Sequence, residues 1–478
     1  MLGERVGQQD RLFYEFDLDD RIPSDHLLRR LDAVLNLSWL RTKLAPFYSH
    51  TGRPSIDPEL MIRMLLVGYC YSIRSERRLC QEVELNLAYR WFCRLGLEDA
   101  VPDHSTFSVN RHGRFRDSDV LRSVFEDVVR RCMEAGLVSG EGFAVDASVI
   151  EADASRFARI EGSQIDWTDE QQAQRPVREF LKALDSAHSP TNPERKPKAL
   201  SPTDPTAAWT ARGRNKIMFG YSLNYLIDME NAVVVDVEAT PTRISKEVEA
   251  TETMIERTSK VFGIKPKCIA GDVAYGTGKL LGWLVRRGIE PHVPVWDKGK
   301  RDDGSLSRAD FAFDLDGNVY VCPKGKVLTT TGTVHDGNTL LYRSSKRDCD
   351  PCPLKPKCCP RSPSRKIPRD INEAARDHAR SLNGGKAYSH SARDRKKIER
   401  LFGEAKRCLG MTRLRLRGLW DSLEDILFAK VDADSDNYSP AAFHVQQFNK
   451  FVPYAEDDGE FDQFPGEKST QYIIRHWP

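Results

Sequence analysis

The sequence predicts an α/β protein, a mixed sheet flanked by helices, with an all-α N-terminal domain and a small Cys-rich insertion. Three observations carry this. Residues 1–139 place apolar side chains at helical spacing. From residue 140, short apolar runs alternate with helical stretches in the order β-(ββ)-α-β-α-β, with another helix at 393–410. Five of the 11 cysteines crowd between residues 322 and 359. A chain of 478 residues exceeds what one hydrophobic core organises, so several domains are expected.

In the N-terminal part, Leu27, Leu28, Leu31, Val34 and Leu35 share one helix face. After a break at Thr51-Gly52-Arg53-Pro54, the pair Asp57-Pro58 fits an N-cap followed by proline at the first helical position. It opens the helix PELMIRMLLVGYCYSI, and SERRLCQEVELN and AYRWFCRLGL continue the series. Short helices with tight connections fit a helix-turn-helix that touches DNA, and equally a plain packed bundle.

Beyond it, GFAVDASVIEA reads as a buried strand, and IMFGYSLNYLIDMENAVVVDVEAT as two strands joined at Met229-Glu230-Asn231. SKEVEATETMIERTSKVFG is a helix, KPKCIAGD a strand, GTGKLLGWLVRRG a helix and PHVPV a strand. Two stretches interrupt the series. Residues 158–208 are proline-rich and polar, a flexible insertion, and residues 298–384 hold the cysteine cluster. The expected organisation is therefore 1–139 helical, 140–297 α/β (first part), 298–384 insertion, 385–430 α/β (final helix and basic segment), and 431–478 an atypical tail.

Hydrophobic residues at 40% and charged ones at 30% describe ordinary globular protein. No charge-free apolar run reaches the ~18 residues of a membrane span, and the first residues lack a signal peptide's apolar stretch. A cytoplasmic, nucleoid-associated protein with no membrane partner is the expectation. The net charge of +2 neither demands nor excludes nucleic acid, since distribution decides. In a reducing compartment, Cys70, Cys80, Cys93, Cys132, Cys268 and Cys408 read as small buried hydrophobes.

Asp146 ends the apolar run Phe143-Ala144-Val145, where an ionised carboxylate is costly unless paired or bound to metal. Asp272 follows Cys268-Ile269-Ala270 and precedes the turn-like Val273-Ala274-Tyr275-Gly276. Strand ends facing helix starts are where α/β sheets carry their sites. Glu399 lies in DRKKIERLFGEAKRCLG, with Arg395 and Lys406 on its side of the helix. Three carboxylates on separate elements could converge as hard oxygen ligands for two Mg²⁺ or Mn²⁺ ions acting on a phosphodiester. An isolated aspartate at a strand end more often only caps a turn. Recurrence in this order on these elements is what favours chemistry.

Here the chain resembles the DDE transposases of bacterial insertion sequences, over roughly residues 10–430. YSHTGRPSIDPELMIRMLLVGYCYSIRSERRL, NLAYRWFCRLGL and VPDHSTFSVNR are similar to that family's N-terminal domain. AVDASVIEADAS, GDVAYGTGKLLGWLVRRGI and RKKIERLFGEAKR match its first aspartate, second aspartate and glutamate motifs, at Asp146, Asp272 and Glu399. Arg395 and Lys406 stand at the arginine and lysine places of the glutamate signature, while Ala392 replaces the tyrosine often found there. The resemblance implies a ribonuclease H-like catalytic fold, cleavage at terminal inverted repeats, strand transfer into target DNA, and a homodimer on DNA.

The basic stretch 393–417 fits that reading, because a cationic stripe beside carboxylates holds phosphates near the metals. Its candidate DNA contacts are Arg395, Lys396, Lys406, Arg407, Arg413 and Arg415. Two rivals stand beside the enzyme: a DNA-binding protein that has lost catalysis, decayed or domesticated, and a stand-alone nuclease.

Cys322, in a C-P-x-G knuckle, with Cys349, Cys352 and Cys358 supplies the four thiolates a structural Zn²⁺ takes, Cys359 being spare. Buried reduced thiols are the other reading, although the insertion's small hairpins offer little apolar area for a core of their own. Residues 431–478, acidic with Gly and Pro, favour disorder over packing, and a tail of that kind would weaken activity.

Overall fold

The structure, a computed structural model, describes residues 16–161, 199–296 and 304–396, with short breaks at 53–54, 72, 74, 117, 213–215 and 242–243, and also 413, 414 and 417. The 431–478 tail lies outside the described residues, as does most of the 158–208 insertion. The described residues divide into two compact units, 16–137 with 413 and 414, and 138–396 with 417.

Up to residue 137 the described part of the first unit is helical: α1 Leu18–Arg21, α2 Leu27–Val34, α3 Leu40–Leu44, α4 Pro58–Cys70, α5 Glu76–Leu85, α6 Leu87–Phe92, α7 His104–Asn110 and α8 Val120–Glu134. The Asp57 carboxylate caps α4 as expected, accepting from the backbone N–H groups of Glu59 (2.8 Å) and Leu60 (3.2 Å). Met61, Ile62, Met64, Leu65, Leu66 and Val67 are all buried, so α4 is apolar nearly all round and runs through the core of the unit. Arg63, buried within it, is paired with Asp32 (2.8 Å) and Glu59 (3.0 Å) and donates to the Phe92 carbonyl (3.0 Å). Cys70, Cys80, Cys93 and Cys132 are buried here. Burial pushes the thiols of Cys70 and Cys93 up to about 12, so they pack as neutral hydrophobes.

The second unit begins with β1, Gly142–Glu151, followed by the two-residue strands β2 (Ile160–Glu161) and β3 (Ala199–Leu200), then β4 Ala208–Arg212, β5 Lys216–Asp228 and β6 Val234–Pro241. Helix α9 (Ile244–Phe262), β7 (Cys268–Ala270), α10 (Gly278–Arg286) and β8 (Glu290–His292) complete the α/β series. The main sheet runs β4-β5-β1-β7-β8, with β6 also on β5. β1, β5 and β6 are antiparallel neighbours, whereas β7 and β8 run parallel to β1. The β5–β6 turn is closed by Asp228, whose carboxylate accepts from the N–H groups of Glu230 and Asn231.

Two expected boundaries move. Residues 199–208 are built in rather than flexible: Leu200, Ser201, Asp204 and Ala207 are buried, and the Tyr221 hydroxyl donates to Asp204 at 2.6 Å. The cysteine-bearing stretch is a five-stranded antiparallel sheet, β9 Ala312–Asp314, β10 Val319–Val321, β11 Val327–His335, β12 Thr339–Arg343 and β13 Lys366–Asp370, in the order β13-β12-β11-β10-β9. It has a core of its own: Phe311, Tyr320, Leu328, Tyr342 and Ile367, with the Arg369 guanidinium 3.6 Å from the Phe313 ring centroid. Between β12 and β13 lie the short helices α11 (Lys346–Cys349) and α12 (Lys355–Cys358). Helix α13, Glu373–Leu382, falls inside the stretch read as insertion but packs on α10 and β8. Gly282 makes that packing possible, since a Cβ there would meet Asn372 Oδ1 at 2.3 Å.

Candidate active site

Asp146 stands on β1 and Asp272 just after its parallel neighbour β7. β1 and β7 pair Gly142 with Cys268, Phe143 with Ile269 and Ala144 with Ala270. Two residues further along stand Asp146, still within β1, and Asp272, beyond the end of β7, and the charges of both bear on the buried Tyr275. Both aspartates are half-buried. Asp146 Oδ1 accepts from the backbone N–H of Ala147 and Asp272 Oδ1 from that of Ala274, each at 2.8 Å. Asp272 also caps the tight turn Val273–Tyr275. Behind that turn Gly276 touches the segment after β8: its carbonyl accepts from Trp296 N–H at 3.0 Å, and a Cβ would meet the Pro294 carbonyl at 2.0 Å. The turn that carries Asp272 is therefore fixed from behind.

Two polar groups missed by sequence reasoning lie beside the pair. Tyr275 is buried, and among the described residues its hydroxyl has no hydrogen-bond partner. Burial first, then the charges of Glu247, Asp146 and Asp272, hold its phenol well above the usual value, so it stays a neutral donor. Glu247, in the first turn of α9, accepts from the Ser222 hydroxyl of β5 at 2.6 Å. No spacing in the sequence announces either residue, because their proximity arises from tertiary packing.

Glu399, Lys406, Arg407 and Arg415 lie outside the described residues. The helical residues 386–396 that lead to Glu399 are anchored on β8: Ser391 is buried with its hydroxyl 2.7 Å from His292 Nδ1, and the Tyr388 ring lies 5.9 Å from the His292 ring. Burial lowers the His292 pKa against the opposing pull of Glu290, 3.4 Å away, which keeps the imidazole neutral. On the same helix Arg395 is half-buried and Lys396 exposed. Arg413 is exposed, and Arg417 pairs with Asp153 at 3.0 Å.

Among the described residues, no group of three or more His, Cys, Asp or Glu side chains is placed to hold a metal ion, and this includes Cys322, Cys349, Cys352 and Cys358. The supposedly spare Cys359 instead shares sulfur hydrogen bonds with Cys349 and Cys358, and its thiol is pushed up to about 11, chiefly by burial. Cys322 Sγ accepts from the N–H groups of Lys324 and Lys326 at 3.4 and 3.3 Å. Cys322 and Cys358 pack against the aromatic core. The charges of Cys349 and Cys322 also bear on Cys358, so these thiols lie near one another.

Asp146, in the middle of β1, and Asp272, just beyond β7, are carboxylates of the kind that hold divalent cations in phosphodiester chemistry. Residues 16–113 match the family described as a transposase domain (DUF772), and residues 321–429, which include Glu399, match a transposase DDE domain. These two matches support a DDE transposase of an insertion element. Asp146 and Asp272 lie outside both matched segments. Among solved structures, the chain is similar to the piggyBac transposase in a cryo-EM synaptic complex with hairpin DNA. The identity is 11% and the TM-score 0.27, over 85% of this chain and 70% of that one, a likeness too loose for residue-by-residue correspondence. No described helix is long and apolar enough to cross a membrane.

Proposed function

We propose that this transposase cleaves DNA at the ends of its element and transfers the 3′-hydroxyl into target DNA, with Asp146, Asp272 and Glu399 holding two divalent cations, Mg²⁺ or Mn²⁺. The observation that supports the reading is that the charges of Asp146, on β1, and Asp272, just beyond its parallel neighbour β7, both bear on the buried Tyr275. Their donor set suits the ions: carboxylate oxygens are hard ligands, and the orphaned Tyr275 hydroxyl beside them is a donor awaiting a partner. Bound there, the cations would supply Lewis acidity toward the scissile phosphate and activate the attacking hydroxyl.

The protein's own residues do the rest. Asp146 is held on a central strand and Asp272 on a turn fixed from behind, so both acids are preorganised. Glu399, which follows in sequence the residues anchored by His292 and Ser391, completes the set. Arg395, Lys396, Lys406, Arg407, Arg413 and Arg415 bind phosphates and hold the strand in register with the acids. The helical N-terminal residues form a DNA-binding domain, the main sheet is ribonuclease H-like, and two protomers engage the two inverted repeats. Incubating the purified chain with a duplex bearing its element's end tests this. Nicking should require Mg²⁺ or Mn²⁺ and vanish in Asp146→Asn and Asp272→Asn, while DNA binding persists. Nicking retained in either variant removes the assignment.

A further inference from the structure

We propose that Tyr275 is a positioning residue for Asp272, acting through Glu247: when a divalent cation binds the aspartate pair, the Tyr275 hydroxyl closes onto the Glu247 carboxylate and locks the turn that carries Asp272. This rests on the reading of Asp146 and Asp272 as cation ligands.

The argument starts from an orphan. The Tyr275 hydroxyl is buried, and among the described residues it has no hydrogen-bond partner. A buried donor left unpaired costs free energy, so native structures keep few of them, and each calls for a reason. The charges that bear on it are those of Glu247, Asp146 and Asp272, Glu247 most strongly. Glu247 is itself held, since its Oε1 accepts from Ser222 at 2.6 Å, which leaves Oε2 to take a second donor. Tyr275 is part of the Asp272 turn, its N–H donating to the Asp272 carbonyl at 3.2 Å. A bond from its hydroxyl to Glu247 would therefore join that turn to α9 and, through Ser222, to β5.

Charge explains why the bond waits for a cation. The charges of Glu247, Asp146 and Asp272 all bear on Tyr275, and like charges repel one another while the site carries only negative charge. A divalent cation on the aspartates removes the repulsion, and the orphan then finds its acceptor. The closing bond forms only in the loaded state, so it contributes to cation affinity and not to the fold of the unloaded protein. Groups that orient ligands from behind characteristically alter affinity by about 10–100-fold.

The test is calorimetric titration of the full-length protein with Mn²⁺, without DNA, alongside metal-free thermal melting. Tyr275→Phe removes one oxygen from a buried ring, and Glu247→Gln removes the acceptor's charge while keeping its shape. Each should weaken Mn²⁺ binding by about 10–100-fold, and the double variant should be no weaker than the weaker single one. The metal-free melting midpoint of Tyr275→Phe should not fall. Wild-type affinity in Tyr275→Phe overturns the proposal, as does additive loss in the double variant. Asp146→Asn separates this from the reading beneath it. If that variant binds Mn²⁺ normally, or if the wild type binds none, the cation assignment itself falls. If Asp146→Asn loses binding while Tyr275→Phe keeps it, only the role of Tyr275 falls.

Discussion

Asp146 and Asp272 should be dispensable for folding. Like charges brought together repel in the metal-free protein, so neutralising one relieves strain there. We expect Asp146→Asn and Asp272→Asn to melt at or above the wild-type midpoint without metal, and a clear fall would mark them as structural. Glu373 is the opposite case. Its side chain is 1% exposed and ion-paired with Arg308 (2.8 Å), Arg376 (3.0 Å) and Arg380 (2.9 Å). Burial alone would raise its pKa, yet the arginines more than reverse this and hold it below the usual carboxylate value of 4.5. A depressed folded pKa means that stability is present above pH 4.5 and is lost as pH falls through the folded value. Removing one partner of such a cluster strands the other charges, so Glu373→Gln should cost about 3–5 kcal/mol in urea unfolding at pH 7. The deficit against wild type should shrink below pH 4.5.

At the scale of elements, the long segments were legible because their patterns are long. β1, β5 and β6 carry extended apolar runs, and α9 spans Ile244–Phe262 with a regular buried stripe. β4 and β13 were not legible. AWTAR is brief and follows a proline-rich stretch, while KIPRD holds a proline and three charges and becomes a strand only by pairing with β12. The sheet around the cysteines was misjudged for a related reason. Phe311, Tyr320, Leu328, Tyr342 and Ile367 are far apart in sequence, and cross-strand pairing alone gathers them into a core. Leu328 is fully buried there, so Leu328→Ala should destabilise this sheet by about 2–5 kcal/mol, read by hydrogen exchange across residues 312–370. The anchor of helical residues 386–396 depends on pH. His292 has a lowered folded pKa, so the unfolded state takes up its proton first, and the anchor's contribution is lost as pH falls below the ordinary 6.5. Exchange in residues 386–396 should accelerate between pH 7 and pH 5.5, and Ser391→Ala should accelerate it at both.

Over the whole molecule, the candidate catalytic residues were nameable from motifs, but their proximity was not. Asp146 and Asp272 are separated by two strands of hairpin, an insertion and a helix, and the parallel β1–β7 pairing joins the strand that carries one to the strand that leads to the other. Tyr275 and Glu247 escaped notice because partnership with a charge is a tertiary fact. The basic residues set a further expectation, since each Lys or Arg that neutralises a phosphate steepens the salt dependence of binding. Lys396→Ala and Arg395→Ala should each reduce the slope of log K against log [salt] by ~1, uniformly across DNA sequences. The measurement that tests the central claim most directly is Mg²⁺-dependent nicking of a duplex carrying the element's end, by wild type, Asp146→Asn, Asp272→Asn and Glu399→Gln side by side. The account predicts nicking by the wild type alone, with all four proteins binding the duplex alike. Nicking that survives in any of the three variants, or proceeds in the wild type with all divalent cations chelated, would contradict it.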